Sequence, residues 1–225
     1  PSIIAVRTVI GYGSPNKAGT AEVHGAPLGE EEVRLTKQNL GWPVEPPFLV
    51  PDDVLAHFRT AVERGQAAQA AWQRTFDAWR TAQPALAGEW EQMMTNTLPE
   101  GWDADLPVFQ PGTAVATRNA SGKVLNALAP HLPGLIGGAA DLDSSTKTYL
   151  NLSGDFQAGQ YGNRNLRFGV REHAMGGIVN GLAAHGGLIP YSATFLVFSD
   201  YMRPAIRVAA LSEFAPIFVF SHDSI

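Results

Sequence analysis

A glutamate set between a glycine turn and a small, apolar helix is the residue of this sequence best suited to acid–base chemistry. Glu172 follows Phe168-Gly169-Val170-Arg171 and opens the run His173-Ala174-Met175-Gly176-Gly177-Ile178-Val179-Asn180-Gly181. A carboxylate at a helix start is favoured by the helix dipole and is often only a cap. The run behind it carries almost no charge, so Glu172 is expected to be buried, where the charged form is disfavoured. Gly176, Gly177 and Gly181 weaken the helix but let another backbone or a partner chain come close. His24 sits in Val23-His24-Gly25-Ala26-Pro27-Leu28-Gly29, a loop with little for a structural histidine to pack against; it is either functional or a solvated loop residue. Phe195, Phe198 and Tyr201 recur every three residues, which by pattern alone is a core stripe. Arg118, taken alone, is a helix-surface charge. His57, His131, His173 and His185 have no pairing that suggests a metal site.

Positioning these residues falls to three zones. Ile3 to Ile10 reads as a buried strand, closed by the loop Gly11-Tyr12-Gly13-Ser14-Pro15-Asn16, which continues to Gly29. The second zone is helical. Pro51-Asp52-Asp53 starts a helix with Leu55, Phe58 and Val62, then Trp72, Phe76 and Trp79, at helical spacing. Pro84 ends or kinks it, and a further turn or two around Leu86, Trp90 and Met93 follows. The tryptophans are read as packing residues. The third zone alternates. A helix from Ala114 to Leu128, a strand from Leu135 to Ala140 and a Gly/Ser/Asn-rich loop to about Asn165 come first. A short strand near Leu166-Arg167-Phe168, helices from Glu172 to about His185 and near Ser199 to Leu211, and a strand from Ile217 to Phe220 complete it. This pattern argues for an α/β fold with a mostly parallel sheet flanked by helices. Ligands gather beyond the carboxyl ends of such strands, where Asp141 and His222 fall.

Composition narrows the class. Of 225 residues 45% are hydrophobic, enough for an ordinary core, and the net charge of -5 gives no basic field for nucleic acid. There is no cysteine, which excludes disulfides and thiolate metal sites. No apolar run approaches membrane-span length and no signal peptide opens the chain, so it reads as soluble and cytoplasmic. It begins at Pro1 before Ile3-Ile4-Ala5-Val6 and stops at Ile225 just past a strand, and therefore reads as a piece of something longer.

Several motifs in order resemble the transketolase family. Arg171-Glu172-His173-Ala174-Met175-Gly176, Thr194-Phe195-Leu196-Val197-Phe198-Ser199-Asp200-Tyr201 and Ser221-His222-Asp223-Ser224-Ile225 are similar to its pyrimidine-binding domain. Ile10-Gly11-Tyr12-Gly13 with Val23-His24-Gly25-Ala26-Pro27-Leu28 resembles the end of its diphosphate-binding domain, and Thr117-Arg118 and Gly138-Ala139-Ala140-Asp141-Leu142 with Ser145 fill the gap. The resemblance implies an incomplete thiamine-diphosphate-binding fold. Residues 1–30 would end the diphosphate-binding domain, 31–110 would be a mainly helical linker, and 111–225 would begin the pyrimidine-binding domain.

It also implies roles. Glu172 would hydrogen-bond a ring nitrogen of the cofactor's aminopyrimidine, favouring the imino form that deprotonates the thiazolium carbon to a carbanion. Phe195, Phe198 and Tyr201 would form the aromatic pocket around the pyrimidine, with Phe198 stacked on it. His24 would contact the diphosphate and assist proton transfer at the substrate, Ile10 would wall the thiazolium, and Asp141 would lie close to the cofactor. Arg118, Ser145 and His222 would bind the phosphate of a sugar phosphate. Mg2+ belongs to the family's site, but Gly154-Asp155 is followed by Phe156 and is misplaced, so the metal ligands are expected outside this chain.

The implied reaction is two-carbon ketol transfer from a ketose phosphate to an aldose phosphate. Its sites would be shared between two subunits of a homodimer, His24 serving one and Glu172 the other. Alone, the chain is expected not to turn over substrate. Dihydroxyacetone synthase, and a silent fragment acting in dimerisation or assembly, stay open as alternatives. No nucleic-acid or membrane partner is expected.

Overall fold

Parallel strands separated by helices, as the alternating pattern predicts, are found in the second of two units into which the chain divides, Pro1–Thr75 and Phe76–Ile225. The computed structural model describes residues 2–223.

In the first unit the run from Ile3 to Ile10 is not a strand. Ile3, Ile4 and Val6 are 97%, 86% and 73% exposed. An apolar run becomes a buried strand only when a neighbour supplies ladder partners, and none of the described residues does. After the loop and a single 3-10 turn, Ala21–Val23, helix α1 spans Glu30–Asn39, an element the sequence reading passed over. Three glutamates open it, against the positive end of its dipole. Glu32 ties the helix to the preceding loop: Ser14 Oγ donates to its carboxylate, as do Asn16 N at 2.9 Å and Asn16 Nδ2 at 2.8 Å. The Asn16 amide, the Ser14 hydroxyl and the Asn16 backbone together lower the Glu32 pKa from 4.5 to about 2.

That shift fixes a pH window. The unfolded chain takes up the Glu32 proton near pH 4.5, whereas the folded chain resists it until about pH 2. The contribution is therefore complete above pH 4.5 and fades as the pH falls toward 2. Thermal melts of the full-length protein at pH 7, 4 and 3 should show a smaller acid-induced fall for Glu32→Gln than for the parent. Equal falls would dissociate Glu32 from acid stability.

Helix α2 spans Asp52–Ala82 and stops before Gln83-Pro84, and α3 starts anew at Pro84 and runs to Met94. Proline supplies the break because it lacks an N–H and restricts the residue before it, yet suits the first position of the next helix. Within the second unit the Phe76 ring lies 5.6 Å from Trp79 and 4.8 Å from Trp90, so these aromatics pack, as expected.

The remaining elements are α4 (Thr117–Leu128), β1 (Leu135–Ala139), α5 (Asp143–Thr146), α6 (Glu172–His185), β2 (Ile189–Phe195), α7 (Ser199–Leu211) and β3 (Ile217–Ser221). The strands form one parallel sheet in the order β1-β2-β3, with Gly137 opposite Tyr191 and Tyr191 opposite Ile217. One face packs Ala129, Leu132, Leu135, Leu150 and Tyr191; the other packs Ala140, Phe168, Met175, Val179 and Met202. Tyr191 is fully buried and donates its hydroxyl to Thr148 O at 2.7 Å; burial pushes the phenol pKa up. Gly176 lets α6 and α7 meet, since a Cβ there would lie 2.7 Å from the Ala205 Cβ.

The sequence reading missed β2, the central strand. Its polar Ser192 and Thr194 and its early Pro190 break the apolar signature, although all three are buried. The short strand expected near Leu166-Arg167-Phe168 is not one. Asn165 makes only isolated bridges, and its side chain holds the segment instead, through Leu150 N at 2.8 Å and Leu150 O at 3.0 Å. This segment nevertheless lies along β1, with Gly137 N to Arg164 O at 3.1 Å and Leu166 N to Gly137 O at 2.7 Å. The expected loop after β1 contains α5, and α4 starts at Thr117 rather than Ala114.

Candidate active site

Beyond the carboxyl ends of β1 and β2 lies a cleft of about 460 Å3. Ala140, Asp141 and Leu142 form one wall, Val170 and Glu172 another, and Phe198 and Tyr201 the third. Each wall follows from a chain reversal. Asp141 has a φ of 61°, a left-handed conformation that lets the chain leave β1 sharply. Gly169, with a φ of 68°, turns the chain into α6, and Arg171 Nη1 bonds back to Phe168 O at 2.7 Å. This sets Glu172 at the first position of α6.

Glu172 is 8% exposed, and among the described residues no donor reaches its carboxylate. With no partner in its own segment and a place in the cleft lining, the carboxylate is open to a ligand entering the cleft. Helix α6 presents it as the sequence predicts, from Glu172 to His185.

The aromatic wall follows from a single 3-10 turn, Leu196–Phe198, placed between β2 and α7. Residues three apart eclipse in that geometry. The Phe195 and Phe198 rings stack 5.8 Å apart at 15°, and Tyr201 lies 6.1 Å from Phe198. Asp223 Oδ1 accepts from Val197 N at 2.7 Å and so pins this turn to the segment after β3. Sequence reasoning gave Asp223 no role; only the topology brings it beside residue 197. Leu142 and Val170 were likewise unassigned, and their positions next to named residues were the available signal.

Arg118, Ser145 and His222 also converge. Arg118 Nη1 lies 2.9 Å from His222 Nε2 and 3.4 Å from Ser145 O. Because a guanidinium only donates, the imidazole accepts. Phe195 joins this corner to the cleft, its ring centroid 4.9 Å from that of His222. The two remaining candidates belong to the first unit and are described by themselves. His24 is exposed just after the Ala21–Val23 turn, and Ile10 is 45% exposed, its carbonyl accepting from Gly19 N at 2.8 Å. Ser224 and Ile225, which complete the last motif, lie outside the described residues.

An α/β sheet with an unpaired acid and an aromatic wall at its carboxyl end defines a cofactor-type cleft of the doubly flanked parallel class. The family model "Transketolase, thiamine diphosphate binding domain" matches residues 1–99, and "Transketolase, pyrimidine binding domain" matches residues 113–225. The chain belongs to the transketolase family. It is 54% identical, over 100% of its own length and 34% of the relative's, to a transketolase of Nostoc sp.. The solved transketolase of Leishmania mexicana superposes with a TM-score of 0.84 at 43% identity, over 96% of this chain and 32% of that one. The transketolase of Pichia stipitis, in complex with sedoheptulose-7-phosphate, gives a TM-score of 0.82 at 42% identity, over 96% of this chain and 33% of that one. The chain thus spans about a third of the length of the relatives it matches. Among the described residues no helix is long and apolar enough to cross a membrane.

Proposed function

We propose that this chain is the central part of a transketolase that moves a two-carbon ketol unit from a ketose phosphate to an aldose phosphate. The observation that carries the reading is the Glu172 carboxylate, without a donor among the described residues, opening on a cleft with one aromatic wall. These residues fit the pyrimidine end of thiamine diphosphate: a flat ring has Phe198 and Tyr201 beside it and a carboxyl group to meet a ring nitrogen. When bound, the cofactor supplies the electron sink for cleaving and forming the carbon–carbon bond. Glu172 holds and shares the proton at that ring nitrogen. Phe195, Phe198 and Tyr201 orient the ring. Asp141 stands at the cleft's rim.

Arg118, Ser145 and His222 would receive the sugar phosphate, a guanidinium, a hydroxyl and an imidazole suiting its oxygens. In this reading His24 and Ile10 serve the diphosphate and thiazolium end. Mg2+ would be held by residues outside these 225. The division into a diphosphate-binding part at 1–30, a linker at 31–110 and a pyrimidine-binding part at 111–225 belongs to the same proposal. So do a second subunit sharing the sites and a cytoplasmic location.

The test is turnover by the full-length protein with xylulose 5-phosphate as donor and either ribose 5-phosphate or formaldehyde as acceptor. Ribose 5-phosphate is expected to react faster by a wide margin; a preference for formaldehyde would make the enzyme a dihydroxyacetone synthase. Arg118→Ala should raise KM for ribose 5-phosphate about 10- to 100-fold, the worth of a charge-assisted hydrogen bond. An unchanged KM would remove Arg118 from the phosphate corner.

A further inference from the structure

The turn from Asp141 to Lys147 carries Asp141 of the cleft and Ser145 of the phosphate corner, and both its ends are left-handed, with φ of 61° and 58°. Side chains with a Cβ adopt this conformation at a cost, and it persists where the surroundings over-determine it. Part of the hold is local: Thr146 Oγ1 bonds Leu142 O at 3.0 Å and pairs with the Thr148 hydroxyl at 2.8 Å. Helix α4 supports the far end, where a Cβ on Gly122 would lie 2.6 Å from the Lys147 carbonyl.

The near end is held by Arg167. Its Nη1 donates to Asp143 Oδ2 at 2.7 Å and its Nε to Asp155 Oδ1 at 2.8 Å, while its guanidinium lies 4.9 Å from the centre of the Tyr149 ring. Asp143 is the first residue of α5, and its side chain is 13% exposed against 51% for Arg167. A planar fork thus joins two carboxylates distant in sequence, which a single ammonium cannot reproduce. Arg167, Asp143 and Tyr149 line a furrow of about 370 Å3 that shares Asp141 with the Glu172 cleft. Two of the Arg167 donors are thus engaged by carboxylates, and the turn held through Asp143 carries Ser145 of the phosphate corner.

We propose that Arg167 is a positioning residue for phosphate-bearing sugars, fixing through Asp143 the strained turn that sets Ser145 beside Arg118. The proposal rests on the ketol-transfer reading above. With half of the Arg167 side chain in solvent, the pair contributes little to overall stability, so its effect should be local.

The test uses the full-length holoenzyme with Arg167→Met and Arg167→Lys. Both variants are assayed with ribose 5-phosphate and with an unphosphorylated aldehyde, glycolaldehyde, as acceptors. Arg167→Met should raise KM for ribose 5-phosphate about tenfold, change kcat less than about twofold and leave KM for glycolaldehyde unchanged. Arg167→Lys should fall between Met and the parent. Calorimetric titration of ribose 5-phosphate into holoenzyme without donor should weaken in parallel, with thiamine-diphosphate affinity unaltered. Equal changes for both acceptors, or none for either, would overturn the proposal. Should Arg167→Met fail to fold, the acceptor split in Arg167→Lys decides alone. Failure of the parent to transfer ketol units at all would refute the underlying reading instead.

Discussion

Replacing Glu172 by glutamine is expected to lower kcat of the full-length enzyme about 1,000-fold, within the range that positioned proton transfer supplies. That corresponds to about 4 kcal/mol of transition-state stabilisation. The amide keeps the shape of the side chain but cannot exchange the proton. Stability should not fall with turnover. The carboxylate lines the cleft with no donor among the described residues, so an amide of the same shape forfeits no contact within the fold. Glu172→Gln should therefore melt at or above the parent temperature while losing turnover. A structural cap at the start of α6 would give the reverse: retained activity and a lower melting temperature. Retention of more than about a tenth of the parent kcat would remove Glu172 from the proton-sharing role that general acid–base catalysis assigns it.

Gly138→Ala is expected to damage the fold itself, by about 3 kcal/mol, the upper part of the range for overpacked cores. A Cβ at Gly138 would fall well inside contact distance of the Leu166 carbonyl, and backbone cannot swing aside as a side chain can. Leu166 would have to retreat, stretching its 2.7 Å bond to Gly137 O and displacing the chain that leads to Glu172. Chemical denaturation of the full-length variant should show a clearly lower midpoint, and its activity should fall with the cofactor's hold. An unchanged midpoint would mean that the 164–166 segment is free to shift, contrary to the buried anchoring of Asn165.

Helices that bury one apolar stripe were legible in the sequence. Glu172 to His185 and Ser199 to Leu211 run as expected, because period and flanking signals agree there. Strands were legible where β-formers cluster, as in Ile217–Ser221, and illegible where the environment makes the strand. Ile189–Phe195 contains Pro190, Ser192 and Thr194, yet it is central because its neighbours on both sides pair with it. The opposite error arose at Ile3 to Ile10, where composition alone suggested a strand and pairing is absent among the described residues. Burial and β-propensity are tertiary properties, and a window of residues does not contain them.

The candidate site was legible as residue types in order, and its geometry was not. Glu172, Phe198, Tyr201 and Asp141 were named from motifs, and they line one cleft. Arg118 and His222 lie 104 positions apart, and the meeting of their side chains depends on sheet order. Asp223 and Arg167 escaped notice because they act through other residues, Asp223 on Val197 N and Arg167 on Asp143. Such supports carry no local signature beyond an ordinary charge.

The two outer strands of the sheet are treated differently, and this bears on handling the protein. The 164–166 segment shields β1, whereas the outer side of β3 meets no strand among the described residues, and Ile217 on it is 45% exposed. Unpaired backbone donors and acceptors beside apolar side chains form a template for another copy to add to. A polypeptide limited to these 225 residues would therefore be prone to self-association through β3, unless further chain of the same protein covers that margin. The open margin of the sheet is thus the place where a further strand would add.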